Sequence, residues 1–295
     1  MLVTGASQGI GKSIALEASK KGVSHLILVS RSKEKLDEVK AAIHVEIREI
    51  MKNVAETDKK KLHYQYIGSL ANIVVDTVAA DLSTEQGSQQ MVEDAQKLLQ
   101  KEKDVSLDYL ILNHITSSDF GLWFERDGER NSEHQRNLES MFRTNMFSYV
   151  WITTRAMKTL LREKGHIVVV SSLAGHVGVP NTAVYSATKH ALHGFFNALR
   201  VEFEMMQVST HVTLAAIGAT DTEGAKSVMK RLPSVSWDDS TSAAKAILRG
   251  AALRKREVFH PHYKVFPAVF LYNFFPQIID YLLVVINTRR GEVDT

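Results

Sequence analysis

Apolar positions along this chain follow two rhythms. Short, nearly unbroken runs such as Leu26-Ile27-Leu28-Val29 and Ile167-Val168-Val169-Val170 fit strands covered on both faces. Between them lie longer segments whose apolar residues recur at spacings of three and four, as at Leu36, Val39, Ile43, Ile47 and Ile50. That is the stripe of an amphipathic helix. The runs predict strands over Leu2–Val3, His25–Ser30, Ile73–Ala80, Tyr109–Asn113, His166–Ser171, Thr210–Ile217 and Val258–His260. Helices are predicted over Ile10–Lys21, Lys33–Ala55, Gln86–Glu102, Asn131–Glu163, Thr182–Met206 and Ser240–Arg254. Strands alternating with helices specify an α/β fold, a doubly wound parallel sheet of the Rossmann type. No repeat, low-complexity tract or linker divides the chain. Residues 1–262 therefore read as one α/β domain, with a hydrophobic C-terminal segment over 263–295 packed on it.

That last segment breaks the pattern. Val265–Ile286 is rich in Phe, Leu, Ile and Val, carries Asp280 as its only charge, and is close to the length of a membrane span. Pro267 and Pro276 are expected to break it, and Asp280 sits poorly inside a bilayer. Three readings stay open: an interfacial patch resting on a membrane, a buried or dimer-interface helix, and a true span. At the other end, only Met1-Leu2-Val3 precede a Thr-Gly turn, with no signal peptide or anchor. Such a short first strand reads as clipped.

Composition narrows the chemistry. The 295 residues are 44% hydrophobic and 23% charged, ample for a sizeable core. Lys+Arg 36 against Asp+Glu 33 gives a net charge of +3, no argument for a nucleic-acid partner. Cysteine is absent, which removes disulfides, thiol catalysis and thiolate zinc sites together. No metal motif is read, and chemistry falls to Ser, His, Tyr, Lys and the carboxylates.

Three motifs carry it. Thr4-Gly5-Ala6-Ser7-Gln8-Gly9-Ile10-Gly11 follows a strand and opens a helix. Gly5 allows the tight turn, Gly9 the approach of backbone to a pyrophosphate, and Gly11 close packing, while the helix N-terminus offers unpaired N–H groups to phosphate. The second strand ends in Ser30-Arg31-Ser32, with no acid to bind a ribose 2′-hydroxyl. Arg31 there offers a guanidinium to a 2′-phosphate, which favours NADP(H). Finally, Tyr185 and Lys189 stand four apart on one helical face, preceded by Ser171-Ser172 at a strand end. An ammonium beside a phenol stabilises phenolate, drawing Tyr185 down towards a working pKa, and Ser172 can hold a substrate oxygen against it.

On these motifs the chain resembles the short-chain dehydrogenase/reductases. The match includes the Thr4–Gly11 loop, Asp81-Leu82 after the third strand, Asn113 after the fourth, Asn145, Ser172, Tyr185 and Lys189. Within the family it is most similar to 11β-hydroxysteroid dehydrogenase type 1-like proteins. That likeness rests on Leu110-Ile111-Leu112-Asn113-His114-Ile115-Thr116, Val168 to Gly175, Gly194-Phe195-Phe196 and Gly218 to Glu223.

The resemblance implies an NADP(H)-dependent oxidoreductase acting on an alcohol/carbonyl pair of a lipophilic, steroid-like substrate. Retinoid or other lipid alcohols are the alternative substrates, and a non-catalytic cofactor-binding scaffold or redox sensor is the rival of another class. Ser172, Tyr185, Lys189 and Asn145 would be catalytic, with Asn145 anchoring a relay water. Gly5, Ser7, Gln8, Gly9, Ile10, Gly11, Arg31 and Ser32 would hold the phosphates. Asp81 and Leu82 would border adenine, and Asn113, His114 and Ile115 would pack along the adenosine ribose. Thr220 and Thr222 would hold the nicotinamide end, with Tyr185 and Lys189 on its ribose. His114 is read as a packed or capping residue rather than an acid–base group. A homodimer and an endoplasmic-reticulum membrane location are also implied, a cytoplasmic one otherwise. Departures are an Ala42–Tyr66 stretch longer than the family pattern, Gln8 in place of a lysine, and Val179 in place of an aromatic residue of the steroid pocket.

Overall fold

A computed structural model describes residues 1–56, 68, 70–101, 106–116, 121–124, 132–223, 225 and 237–291. The strands are β1 (Leu2–Thr4), β2 (His25–Ser30), β3 (Val74–Ala79), β4 (Tyr109–Leu112), β5 (His166–Val170), β6 (His211–Ile217) and β7 (Glu257–His260). They form one sheet in the order β3-β2-β1-β4-β5-β6-β7, with parallel pairing throughout. Chain order reverses between β1 and β4, which opens a crevice above the carboxyl ends of those two strands.

The predicted strands each fall within two residues of those observed. Alternation along them feeds two cores. Val3, Leu28, Ile111 and Val168 point to one face, where α1 (Gly9–Ser19), α2 (Lys33–Glu56) and α7 (Ser240–Ala252) cover them. Leu2, Ile27, Leu110 and Val169 point to the other, under α3 (Glu85–Gln100), α5 (Ser148–Arg162) and α6 (Ala183–Met205). Burying both faces is why these strands read as unbroken apolar runs rather than alternating ones. Local chemistry sets several helix starts: Thr84 caps α3 by accepting from Gly87 N, and Asp239 caps α7 by accepting from Ser242 N.

Two expectations need correction. The single helix expected over Asn131–Glu163 is instead α4 (Ser132–Phe142), a π-helical turn at Arg143–Phe147, and then α5. The widened turn swings Asn145 inward to zero exposure. The C-terminal stretch is two helices, α8 (His262–Phe274) and α9 (Pro276–Gly291). Pro267 lies inside α8, where it forfeits only the bond to the carbonyl four residues back, so the break comes at Pro276 alone.

Among the described residues no helix is long and apolar enough to cross a membrane, which removes the spanning reading. The fully buried reading fails too. Val265, Val269 and Ile279 face inward, but Phe266, Phe270, Phe274, Phe275, Ile278 and Tyr281 are exposed. The elongated family insertion expected near Ala42–Tyr66 extends α2 to Glu56, and residues 57–67 lie outside the described ones.

Candidate active site

The crevice is lined by loops that follow β1, β4, β5 and β6. After β1 the chain turns through Gly5 at φ +65° and Gly9 at φ +54°, the left-handed region that side chains rarely adopt. A Cβ on Gly5 would come within 2.8 Å of His114 Cα, and one on Gly9 within 2.9 Å of Thr222 Cγ2. A Cβ on Gly11 would meet the Gly5 carbonyl at 2.1 Å. Gln8 precedes α1 with no side chain capping its N–H groups. Backbone that close, opening onto an uncapped helix N-terminus, fits a dinucleotide pyrophosphate. Ser7, Gln8 and Ile10 are at least partly open to solvent on this loop.

At the far end of the crevice, Arg31 is exposed at the tip of β2. It reaches electrostatically to Asp81, whose carboxyl is held below its ordinary pKa by the Ser83 backbone and side chain and, less strongly, by Arg31. Ser32 is half-buried, and its hydroxyl accepts from Lys35 N at 3.3 Å and donates to Glu34 at 3.0 Å. It starts α2 as much as it faces a ligand. Leu82 is buried in the core.

His114 packs as its sequence reading expects. Nδ1 lies 2.8 Å from Thr4 Oγ1 and Nε2 lies 2.6 Å from Ser148 Oγ. Ser148 donates to Thr144 O at 2.6 Å, so its oxygen accepts from His114 Nε2–H, while the single Thr4 hydroxyl proton is shared between Nδ1 and Ile111 O, 3.2 Å away. Thr4 Oγ1 in turn accepts from Asn113 N at 2.9 Å, and Tyr149 donates to His114 O at 2.7 Å. Burial, and less strongly the Lys189 charge, hold the imidazole down to about 3, so it is neutral. This ring ties β1, β4 and α5 together.

Asn113 spans the same junction, donating Nδ2 to the carbonyls of Thr4 and Gly5 at 3.3 Å each. It therefore braces the glycine loop, leaving Ile115, 50% exposed, as the open side chain of the three. Asn145 is likewise committed. Its Oδ1 accepts from Thr116 N at 2.7 Å, and its Nδ2 donates to Thr116 O at 2.8 Å. The side chain fixes the strand-following loop. Thr220 donates to Gly218 O at 3.1 Å and Thr222 accepts from Ala225 N at 3.1 Å, shaping the loop after β6.

The remaining trio behaves differently. Ser172 ends the strand-following segment in extended backbone (φ −148°, ψ 162°) and accepts from Ala174 N at 3.2 Å. Its hydroxyl stands close enough to the Tyr185 phenol to favour the phenolate. Lys189 is 1% exposed, with Nζ donating to Val170 O at 3.1 Å and standing 5.7 Å from the Tyr185 ring centroid. Burial drives its pKa down to about 7. Burial also pushes Tyr185 above its ordinary value, and the nearby Ser172 hydroxyl only partly offsets this. The expected lowering of Tyr185 by Lys189 is therefore absent here, because desolvation holds both groups towards their neutral forms.

The comparisons with known proteins agree with this geometry. The family model described as short chain dehydrogenase matches residues 1–68 and 54–232. The chain belongs to the short-chain dehydrogenase family. It is 32% identical over 284 residues to hydroxysteroid 11-beta-dehydrogenase 1-like protein A of Xenopus laevis, covering 96% of this chain and 84% of that one. It is 35% identical over 261 residues to the 1-like protein of Gallus gallus, covering 88% and 78%. Among solved structures it resembles a short-chain dehydrogenase from Sphingobium yanoikuyae in complex with NADPH, at TM-score 0.65 and 22% identity over 88% of this chain and 87% of that one. A short chain dehydrogenase/reductase from Burkholderia phymatum in complex with NAD matches at TM-score 0.71 and 15% identity, over 94% and 93%. Family membership makes this short-chain dehydrogenase an oxidoreductase with a nicotinamide cofactor.

Proposed function

We propose that this short-chain dehydrogenase interconverts a ketone or aldehyde and an alcohol on a lipophilic, steroid-like substrate, using NADP(H). The observation that carries the reading is the buried Lys189 amine, 5.7 Å from the Tyr185 ring centroid and held by Val170 O at 3.1 Å, beside Ser172 at the strand end. When bound along the glycine loop, the nicotinamide supplies or accepts the hydride. Ser172 holds the substrate oxygen, and Tyr185 donates a proton to it in reduction and removes one in oxidation. Lys189, buried on the same helical face, stabilises negative charge that develops on the phenol. Asn145 acts as a positioning residue by fixing the loop at Thr116.

Arg31 at the end of β2, with no acid beside it on that strand, supports NADP(H) over NAD(H). Gly121 N donates to Asn181 O at 3.1 Å, setting exposed Leu122 and Phe124 beside the loop that leads to Tyr185. This apolar flank supports a lipophilic substrate. The exposed apolar face of α8 and α9 supports contact with a membrane surface, of the endoplasmic reticulum by resemblance, or with a second copy of the chain. Vesicle sedimentation and light scattering separate those two.

The test is NADPH oxidation with a panel of lipophilic ketones and aldehydes, 11-keto steroids included, with NADH in parallel. The reading predicts turnover with an NADPH preference that Arg31→Ala reduces at least tenfold. Tight NADPH binding with no turnover on any carbonyl would favour the scaffold.

A further inference from the structure

Behind the Ser172–Tyr185–Lys189 corner, the same elements gather a second polar group that the proposed chemistry does not use. His176 follows the short 3-10 turn after β5, His193 lies one helical turn beyond Lys189 on α6, and Glu257 opens β7. Glu257 Oε1 stands 3.3 Å from His176 Nε2 and 3.6 Å from His193 Nδ1. The three atoms lie within 4.8 Å of one another.

Neither contact is a completed hydrogen bond. Charge-assisted N–H···O bonds close to about 2.7–2.9 Å. Here His176 Nε2 and His193 Nδ1 are both buried without a hydrogen-bond partner among the described residues. His193 is only 6% exposed, so its ring is shut away from bulk solvent. The separations match something else. Ligand bonds of about 2.0–2.1 Å to a central zinc ion place neighbouring ligand atoms of a tetrahedron about 3.3–3.4 Å apart.

The surroundings have the form of an outer shell. His193 Nε2 lies 2.9 Å from Ser171 Oγ, a contact of the kind that fixes the tautomer of a ligating imidazole. With Nε2–H given to Ser171, Nδ1 turns its lone pair on the Glu257 oxygen, an arrangement that a cation between them relieves. Gly175 makes room for the ring, since a Cβ there would lie 2.7 Å from His193 Cδ2 and Nε2.

We propose that His176 Nε2, His193 Nδ1 and Glu257 Oε1 bind one zinc ion, with water in the fourth position on the half-exposed side of His176 and Glu257. Two imidazoles with one carboxylate select zinc over magnesium or calcium, which prefer all-oxygen sites. The ion is a brace: it pins the loop after β5, α6 and β7 together one turn from Lys189.

The experiment takes the full chain, stripped with a chelator, and titrates it with Co²⁺ as a spectroscopic probe for the zinc site. One equivalent should give visible bands of four-coordinate intensity, which one equivalent of Zn²⁺ abolishes. Glu257→Gln and His176→Asn should each weaken Zn²⁺ binding by at least about tenfold. A folded wild-type chain that shows only the faint spectrum of aqueous Co²⁺ overturns the proposal without recourse to any variant. Equal stoichiometry and affinity in the folded variants overturns it as well.

Discussion

Two buried polar groupings stand side by side at the carboxyl edge of the sheet, one around His114 and one around Lys189. Around His114 every hydrogen-bonding atom is met. Thr4 takes the amides of Asn113 and His114, the imidazole bridges Thr4 to Ser148, and Tyr149 closes on the His114 carbonyl. Around Lys189 the arrangement is leaner. A fully buried amine has Val170 O at 3.1 Å, and a half-buried phenol has one serine hydroxyl. Saturation makes the first grouping rigid and inert. Incomplete bonding leaves the second holding protons it can give away. Buried polar residues that look equally suggestive in sequence thus divide by how completely their neighbours satisfy them.

Substitutions sharpen this contrast, and the largest effect is expected at Lys189. Lys189→Met removes a buried amine whose pKa has fallen from 10.5 to about 7. Turnover should fall by about 10³-fold or more. Stability should rise, by on the order of 1–3 kcal/mol, because a desolvated ionisable group gives way to a methionine of similar volume. Thermal unfolding beside steady-state rates checks both halves, and a lower Tm would break the comparison.

His114→Leu should do the opposite. It orphans Thr4 and Ser148 hydroxyls in a dry site and should cost about 2–4 kcal/mol of stability. The folded fraction should keep NADPH turnover within a few-fold, measured per folded molecule. A loss like that of Lys189→Met would mean His114 acts in the chemistry.

The two groupings should also titrate in separate windows. His114 has a folded pKa of about 3 against an ordinary 6.5, so between those values the unfolded chain binds more protons. Stability is present above pH 6.5 and is lost as pH falls towards 3, at up to about 1.4 kcal/mol per pH unit. Lys189, folded about 7 and ordinarily 10.5, makes stability rise with pH across the upper window. Urea unfolding across pH should show the acid slope shrink in His114→Leu and the alkaline one in Lys189→Met. The smallest effect is expected at Ser32→Ala, about 1 kcal/mol from the start of α2, with the NADPH-to-NADH ratio shifted less than threefold.

What the sequence revealed follows the same physics. Strands buried on both faces left unbroken apolar runs, and Gly5, Gly9, Ser172, Tyr185 and Lys189 lie in short motifs whose spacing encodes their geometry. Thr4 and His114 lie 110 residues apart and meet only once β1 pairs with β4, so the saturation of that imidazole was not readable. The inward turn of Asn145 depends on a π-helical ladder that apolar spacing does not register. His176, His193 and Glu257 share no motif, since the register of β7 on β6 brings Glu257 to α6. The prolines of the C-terminal segment misled for a simple reason. Pro267 falls early in α8, where a helix tolerates the loss of one bond, whereas Pro276 begins a new helix.

The account stands most directly on Tyr185→Phe, assayed for NADPH-linked carbonyl reduction and, in the same samples, for NADPH binding by fluorescence. Loss of about 10³-fold or more in turnover with cofactor affinity within threefold is the predicted result. Turnover preserved in the folded variant would contradict it, because the proton would then reach the substrate by some route other than Tyr185.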